Sequence, residues 1–365
     1  MQVQPAIENR GRVRGSGCLF LVSLLIIPSL FAEGSARALS SACWASEAHR
    51  LVRTFRLSAH ARDDLLYLSR DPHPAGSSRQ KELATWLLRS LRKQMDGASL
   101  QSFPLSFLKT QGHSRREVLS AEGINVLAWL ERKNSSCTML LGSHYDSKFL
   151  PGIRYTGAHD GGSSSVALME MAAYLAKHRQ NPSIPCHIVF IWFDGEESRL
   201  PGWNDWRQYP ELSSPDHTQG SRYFVRQLKR CRSRQKEYCP DLQEFPTSVR
   251  KSPLSAMILM DMTGHPDIKM TEDLNSDPAL RALLKQAMRS ESIHISAGTR
   301  QHIEDDHIPF VRAGIPAINL IDFEHFGYWH QPSDLPETVS SDALLRASRL
   351  ALSILLARPS CREAS

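Results

Sequence analysis

HIVFIWFDGEES, residues 187–198, runs a continuous apolar stretch straight into Asp194, Glu196 and Glu197, broken only by Gly195. A strand with one wet face alternates apolar and polar side chains. An unbroken apolar run instead fits a strand covered on both faces, as in a largely parallel sheet flanked by helices. The acidic residues at its end pose a second question. Carboxylates this close raise one another's pKa unless a cation or a proton sits between them.

Reading outward, INVLAWLE (124–131), TMLLGSHYDS (138–147), SAMILMDMTG (255–264) and PAINLID (316–322) have the same strand character. Between and after them, GSSSVALMEMAAYLAKH (162–178), GSRYFVRQLKR (220–230), DPALRALLKQAMRS (277–290) and SDALLRASRLALSILLA (341–357) carry helical spacing. The stretch 46–95 adds two helical segments separated by a turn at DPHPAGSS (71–78). This alternation predicts an α/β fold, a three-layer α/β/α sandwich with a central, mostly parallel mixed sheet. Ligand sites in such sheets lie beyond the carboxyl ends of the strands.

The chain has 365 residues, 41% hydrophobic and 22% charged, with a net charge of +6. Those values suit a globular protein rather than a disordered or repetitive one. The positive excess includes Arg10, Arg12 and Arg14 and the run 221–236, which carries no recognised nucleic-acid-binding fold signature, so no nucleic-acid partner is expected. The three arginines precede the apolar run CLFLVSLLIIPSLF and an Ala-Arg-Ala pattern at 36–38, the order of an export signal. The run is about 14 residues, short of the ~20 that a membrane-spanning helix needs. Residues 1–38 are therefore expected to be an export signal, with a membrane-anchored version as the alternative, and 39–365 a single catalytic domain led by a helical segment. Stable membrane insertion is not expected, and a periplasmic or secreted monomer is.

Six of the seven cysteines lie beyond the signal, an even number that permits disulfides in an oxidising compartment. Cys231 with Cys239 and Cys43 with Cys361 are candidate pairs, although spacing does not fix the pairing. No C-x-x-C pattern occurs, so a thiolate metal site is not expected.

The expected strand ends deliver His144, Asp146, Glu196, Glu197 and Asp261; the loop GAHDGG adds Asp160, and the segment after PAINLID adds His330. Each has a bland reading alone: Asp160 could cap the following helix, and His144 could be a core histidine. Together His144, Asp160, Glu196, Glu197, Asp261 and His330 form an oxygen and nitrogen ligand set without sulfur, suited to zinc. A bound metal would let adjacent glutamates stay ionised, one as ligand and the other as general acid or base.

The motifs HYDS (144–147), GAHDGG (157–162), FDGEES (193–198), LMDMTG (259–264), EDDHIPFVRAGIPAINLI (304–321) and YWHQPSD (328–334) resemble those of glutaminyl-peptide cyclotransferases. These enzymes belong to the zinc exopeptidase superfamily, together with two-zinc aminopeptidases. The resemblance implies a zinc-exopeptidase-like fold and conversion of an N-terminal glutamine of peptides or proteins to pyroglutamate with release of ammonia. It implies one zinc held by Asp160, Glu197 and His330, with Glu196 as proton shuttle, Asp261 positioning the substrate amine and Asp305 assisting the leaving group. Trp329, Ile303 and Met262 would line the pocket, completed by Trp203 or Trp206. His144 and Asp146 would support the metal or help hold a second one. The aminopeptidase alternative uses two zincs, with His144 and Asp261 as ligands of the second, Asp160 as bridge and Glu196 activating water. The resemblance further implies a cis peptide bond between Asp160 and Gly161. The cysteine pair common in animal cyclases has no counterpart here, and Glu304 stands where those enzymes usually carry an amide.

Overall fold

β4 (His187–Phe193) is buried along its whole length at the centre of a six-stranded sheet. The computed structural model describes residues 43–111, 115–233, 242, 244–290, 293–325 and 327–357. The sheet order is β1–β2–β4–β3–β5–β8, with β1 (Gly97–Gln111), β2 (Arg115–Leu130), β3 (Thr138–His144), β5 (Leu254–Asp261) and β8 (Ala317–Ile321). β4, β3, β5 and β8 run parallel to one another, whereas β1 and β2 form an antiparallel pair that joins β4 antiparallel. β6 (Lys269–Asp273) and β7 (Ser296–Gln301) make a separate two-stranded ribbon.

The apolar run of β4 divides between two cores. Ile188, Phe190 and Trp192 enter one, whereas Val189, Ile191 and Phe193 enter the other. The larger core receives α1 (Ser46–Thr54), α2 (Ala61–Leu68), α3 (Ser78–Arg92), α4 (Ser164–Lys177), α7 (Pro278–Met288) and α9 (Ser341–Leu355). The smaller one receives α5 (Gln219–Ser233), α6 (Thr247–Lys251) and α8 (Ile308–Val311). The outcome is the expected three-layer sandwich.

Trp192 is the largest side chain with no exposure, and its indole nitrogen donates to the Ser165 carbonyl at 3.1 Å. Trp192→Ala is expected to lower unfolding free energy by ~3–5 kcal/mol through cavity formation, measured as a shift of the denaturant midpoint at unchanged m-value.

Three expectations need correction. The region 46–95 holds three helices rather than two, because Phe55 to His60 interrupts the first segment. β1 was not foreseen, and β2 begins at Arg115 instead of near Ile124; β1 and β2 pair over their whole lengths as a hairpin. No cis peptide bond occurs among the described residues, so the Asp160–Gly161 bond is trans. Gly161 makes the sharp turn instead, at φ 80° and ψ −42°, a region glycine enters without steric cost.

Cys137 and Cys186 form a disulfide that was not foreseen. Cys43 and Cys231 are also disulfide-bonded, but Cys239 and Cys361, their candidate partners, lie outside the described residues. So does the expected signal, 1–38. The chain just after it packs onto the main core, since the indole nitrogen of Trp44 donates to the Ser353 carbonyl at 2.7 Å. No helix among the described residues is long and apolar enough to cross a membrane.

Candidate active site

The parallel strands β3, β4, β5 and β8 end on the same side, and each leads into polar residues. β3 ends in His144, β4 leads into Asp194 to Glu197, β5 ends in Asp261, and the loop after β8 reaches His330. A distorted turn (Ala158–Ser163) brings Asp160 to the same place before α4 begins. Small hydroxyls fasten the first residues of α4, directly after that turn, to β3. Ser143 Oγ donates to Ser164 Oγ at 2.8 Å, and Ser165 Oγ donates to the His144 carbonyl at 2.7 Å. A Cβ on Gly161 would come within 2.6 Å of the His144 ring, so glycine is needed there for closeness as well as for φ.

Two candidate metal-holding triples result, His144–Asp160–Asp261 and Asp160–Glu197–His330, each with ligand atoms within 4.8 Å of one another. Asp160 is common to both. His144 Nε2 lies 3.2 Å from Asp160 Oδ1 and 3.3 Å from Asp261 Oδ1. His330 Nε2 lies 3.2 Å from Glu197 Oε1 and 3.5 Å from Asp160 Oδ2. Both triples are nitrogen and oxygen sets without sulfur, largely withdrawn from solvent, and so fit a zinc ion. His330 adopts φ 56°, unusual for a side chain with a Cβ, and is held by the Trp329 ring stacked at 4.0 Å and the edge-on Tyr155 ring at 5.8 Å.

Asp146 lies against this centre. Its carboxylate accepts the backbone N–H groups of Glu196 and Glu197, each at 3.2 Å, which fixes the turn bearing the doublet. Asp194, the remaining acid of the opening stretch, points away from the ligands and accepts from Gln80 Nε2 at 2.5 Å and from the Ile124 N–H at 2.7 Å. It braces α3 and β2 against the end of β4.

Proton affinities separate these acids. Burial drives Asp160 upward, but the hydrogen bond and charge of His144 and the charge of His330 hold it well below the usual carboxylate range. Burial pushes Glu196 well above that range; His144 opposes this, while Asp305, Glu197 and Asp306 reinforce it. Asp305 rises to about 6 through burial and the charge of Asp261. It accepts from Asn319 Nδ2 at 2.8 Å and from the Asp306 N–H at 2.5 Å.

Apolar residues wall this group. Met262, Ile303 and Ile321 pack with Phe323 and Trp329. Trp203 stacks on His217 at 4.0 Å, and the Thr218 N–H next to that histidine donates to the Glu196 carbonyl at 2.9 Å. Trp206 turns instead into a cluster with Leu108, Leu200 and Leu212.

The family profile described as peptidase family M28 matches residues 125–355. The chain belongs to peptidase family M28. Among curated relatives, a glutaminyl-peptide cyclotransferase of Drosophila melanogaster is 24% identical over 64% of this M28 chain and 65% of its own length. This chain therefore spans just under two thirds of that relative. A solved glutaminyl cyclase from an Acidobacteriales bacterium matches 83% of this chain and 96% of its own, with TM-score 0.59 and 22% identity. A leucine aminopeptidase precursor from Bacteroides thetaiotaomicron matches 82% and 97%, with TM-score 0.58 and 18% identity. The M28 fold is thus shared by cyclases and aminopeptidases, and likeness of fold does not choose between them.

Three residues of the M28 site, Tyr155, Asp334 and Lys148, escaped the sequence reading. Tyr155 donates its hydroxyl to Asp160 Oδ2 at 2.7 Å and lies 3.1 Å from Asp334 Oδ2, while Asp334 accepts the backbone N–H groups of His159 (2.6 Å) and Asp160 (3.2 Å). Asp334 closes the YWHQPSD run and could have been flagged from it; Tyr155 has no sequence signal. Lys148, buried, sits 3.9 Å from Glu197 Oε2 and donates to the Ser198 and Leu200 carbonyls. Partners that orient a ligand typically contribute ~10–100-fold to metal affinity. Tyr155→Phe is accordingly expected to weaken zinc binding by about that factor, measured by chelator competition.

Proposed function

We propose that this M28 chain is a zinc-dependent glutaminyl-peptide cyclotransferase acting on peptides or proteins with an N-terminal glutamine. The observation that carries the reading is the placement of Asp305. It is a buried carboxyl that burial and the charge of Asp261 raise to about 6, and its own charge adds to the burial that raises Glu196. Moving a proton between two substrate nitrogens calls for carboxyls that hold a proton more tightly than an ordinary carboxylate does.

In this reading Asp160, Glu197 and His330 hold the zinc. When bound, the ion supplies Lewis-acid polarisation of the γ-carbonyl. Asp261 orients the neutral α-amine toward the γ-carbon. As the new carbon–nitrogen bond forms, Glu196 takes a proton from the amine and passes it to the amide nitrogen. The original amide bond then breaks and ammonia leaves, with Asp305 sharing the proton load on Glu196. Met262, Ile303, Trp329 and Trp203 enclose the folded-back side chain and exclude water, which favours ring closure over hydrolysis. Trp203 is assigned here rather than Trp206 because its stack on His217 adjoins the strand-end turn of Glu196.

One observation favours a second reading. The His144–Asp160–Asp261 triple offers a second metal position bridged by Asp160, as a two-zinc aminopeptidase requires. Incubation with a Gln-initiated peptide separates the two. Ammonia with loss of 17 Da from the peptide, the mass of that ammonia, supports the cyclase; free glutamine overturns it.

The arginine-flanked apolar N-terminus and the Cys137–Cys186 bond together support export to an oxidising compartment. We read the exported form as a monomer with a cleaved signal, to be checked by N-terminal sequencing and light scattering of secreted material.

A further inference from the structure

One face of α5 carries a run of cations that the catalytic machinery does not use. Arg222, Arg226, Lys229 and Arg230 recur at helical spacing, so they project from the same side of the helix. With Val225 and with Pro309 of α8 they line an open groove of about 430 Å3, a volume in the range of ligand-binding clefts. Val225 and Pro309 are buried, whereas Arg226, Lys229 and Arg230 are exposed. The buried pair gives the groove an apolar base and the exposed three give it a cationic rim. No carboxylate lines it among the described residues.

Both walls of the groove start at the catalytic acids. At the head of α5, the Thr218 and Gln219 N–H groups donate to the carbonyls of Glu196 (2.9 Å) and Gly195 (2.7 Å), and Ser221 Oγ donates to Asp306. α8 follows directly on Asp305, Asp306 and His307. At ~1.5 Å per helical residue, Arg226, Lys229 and Arg230 lie about 10–17 Å past Gln219. At ~3.3 Å per extended residue, a peptide leaving the Glu196 pocket along α5 reaches them roughly three to five residues after its first.

The cations are crowded rather than neutralised. Arg222 is committed to the fold, donating to the carbonyls of Pro215, His217 (2.9 Å) and Thr218 (3.2 Å). Burial, and next the charge of Arg226, lower it to about 10. Asp216 and Asp306 attract it, but both are buried and already accept other donors: Ser198 and the Arg199 N–H on Asp216, Ser221 on Asp306. Arg312, just after α8, is paired with Glu304 at 2.8 Å. Arg226 packs by the Tyr223 ring at 5.4 Å, and neither it nor Lys229 has a carboxylate partner among the described residues. Basic residues in the last turns of a helix often do no more than oppose its dipole. That reading covers Lys229 and Arg230, but not Arg226 in mid-helix or Arg222 near the positive end.

We infer that this groove is an accessory subsite for acidic side chains of the peptide substrate, about three to five residues after the N-terminal one. The enzyme then favours Gln-initiated peptides with Asp or Glu in that stretch. The inference rests on the cyclase reading, which supplies the substrate. Rim charges of this kind act on capture of the peptide rather than on the chemical step, and salt screens them. An acidic stretch therefore lowers KM at similar kcat.

The test compares the peptide Gln-Gly-Ala-Glu-Glu-Glu with counterparts ending in Gln-Gln-Gln and Lys-Lys-Lys, using the zinc-loaded full chain. At low ionic strength, ammonia release should give the Glu peptide a kcat/KM roughly 5–10-fold above the Gln peptide, as a few exposed ion pairs would, with the Lys peptide below both. The difference should sit in KM and shrink to about twofold or less as ionic strength rises to ~0.5 M. Reversing the exposed charges with Arg226→Glu and Lys229→Glu together should invert the order, so that the Lys peptide is favoured. A general loss of fold lowers all rates and does not invert their order. Equal kcat/KM for the peptides, with ammonia released, overturns the groove and leaves the cyclase reading in place; so does an order that survives the charge reversal. Retention on phosphatidylserine vesicles without discrimination among the peptides would make the groove a membrane-facing patch and would likewise overturn it. Free glutamine in place of ammonia overturns the cyclase reading, and the groove's role with it.

Discussion

Glu196→Gln is expected to lower kcat for glutamine cyclisation by ~10²–10⁴-fold, the usual contribution of a positioned general acid–base, while zinc content stays at the wild-type level. The amide keeps the size of the carboxyl and removes its ability to carry a proton. The native environment already keeps Glu196 well above the ordinary carboxyl range, chiefly by burial. The neutral side chain therefore removes a charge that the pocket disfavours, and the fold should be at least as stable as before. Single-turnover cyclisation of a Gln-initiated peptide, with zinc measured on the same sample, provides the check. A variant within a few fold of wild type would remove Glu196 from the mechanism.

Asp160→Ala should have the larger effect, because Asp160 alone belongs to both triples. Its loss breaks the contacts with His144 Nε2 at 3.2 Å and His330 Nε2 at 3.5 Å, and leaves the Tyr155 hydroxyl with Asp334 Oδ2 as its acceptor. Zinc at the catalytic position should fall to background in either reading of the enzyme, and activity with it. A ligand present at a thousand times its dissociation constant stabilises the folded state by ~4 kcal/mol. The rise in melting temperature that Zn2+ produces at the catalytic centre should disappear accordingly. Full activity in this variant would refute the ligand assignment, and with it the zinc role in both reactions.

The contrast between these acids explains how far the sequence could be read. Unbroken apolar runs such as HIVFIWF announced buried parallel strands because such strands have no wet face, and the alternating helices then dictated a layered sandwich. The rule that sites lie at the carboxyl ends of strands brings His144, Glu196, Glu197 and Asp261 into one place from the sequence alone. β1 was missed because a polar, alternating hairpin strand at a sheet edge looks much like a loop, and Ser102, Ser106 and Lys109 dilute its pattern. The break between α1 and α2 was missed for the opposite reason: the helical spacing on either side is similar enough to read through it.

By itself the sequence determined the layer architecture, the order of the strands that end in polar residues and the chemical character of the ligand set. These follow from local periodicity and residue type, which are properties of short windows. Tertiary structure alone decided which carboxylates share a histidine, that Gly161 turns through a positive φ with a trans bond, and that Cys137 meets Cys186. It also decided that Tyr155 and Asp334 hold Asp160 in place, and that the basic face of α5 opens beside Pro309. Those outcomes depend on distances between segments far apart in the chain, set by how the two cores pack around β4. The charged doublet in HIVFIWFDGEES was visible from the start. What separates Glu196 from Glu197 is a histidine more than a hundred residues later, and only the folded chain brings it within 3.2 Å of one of them.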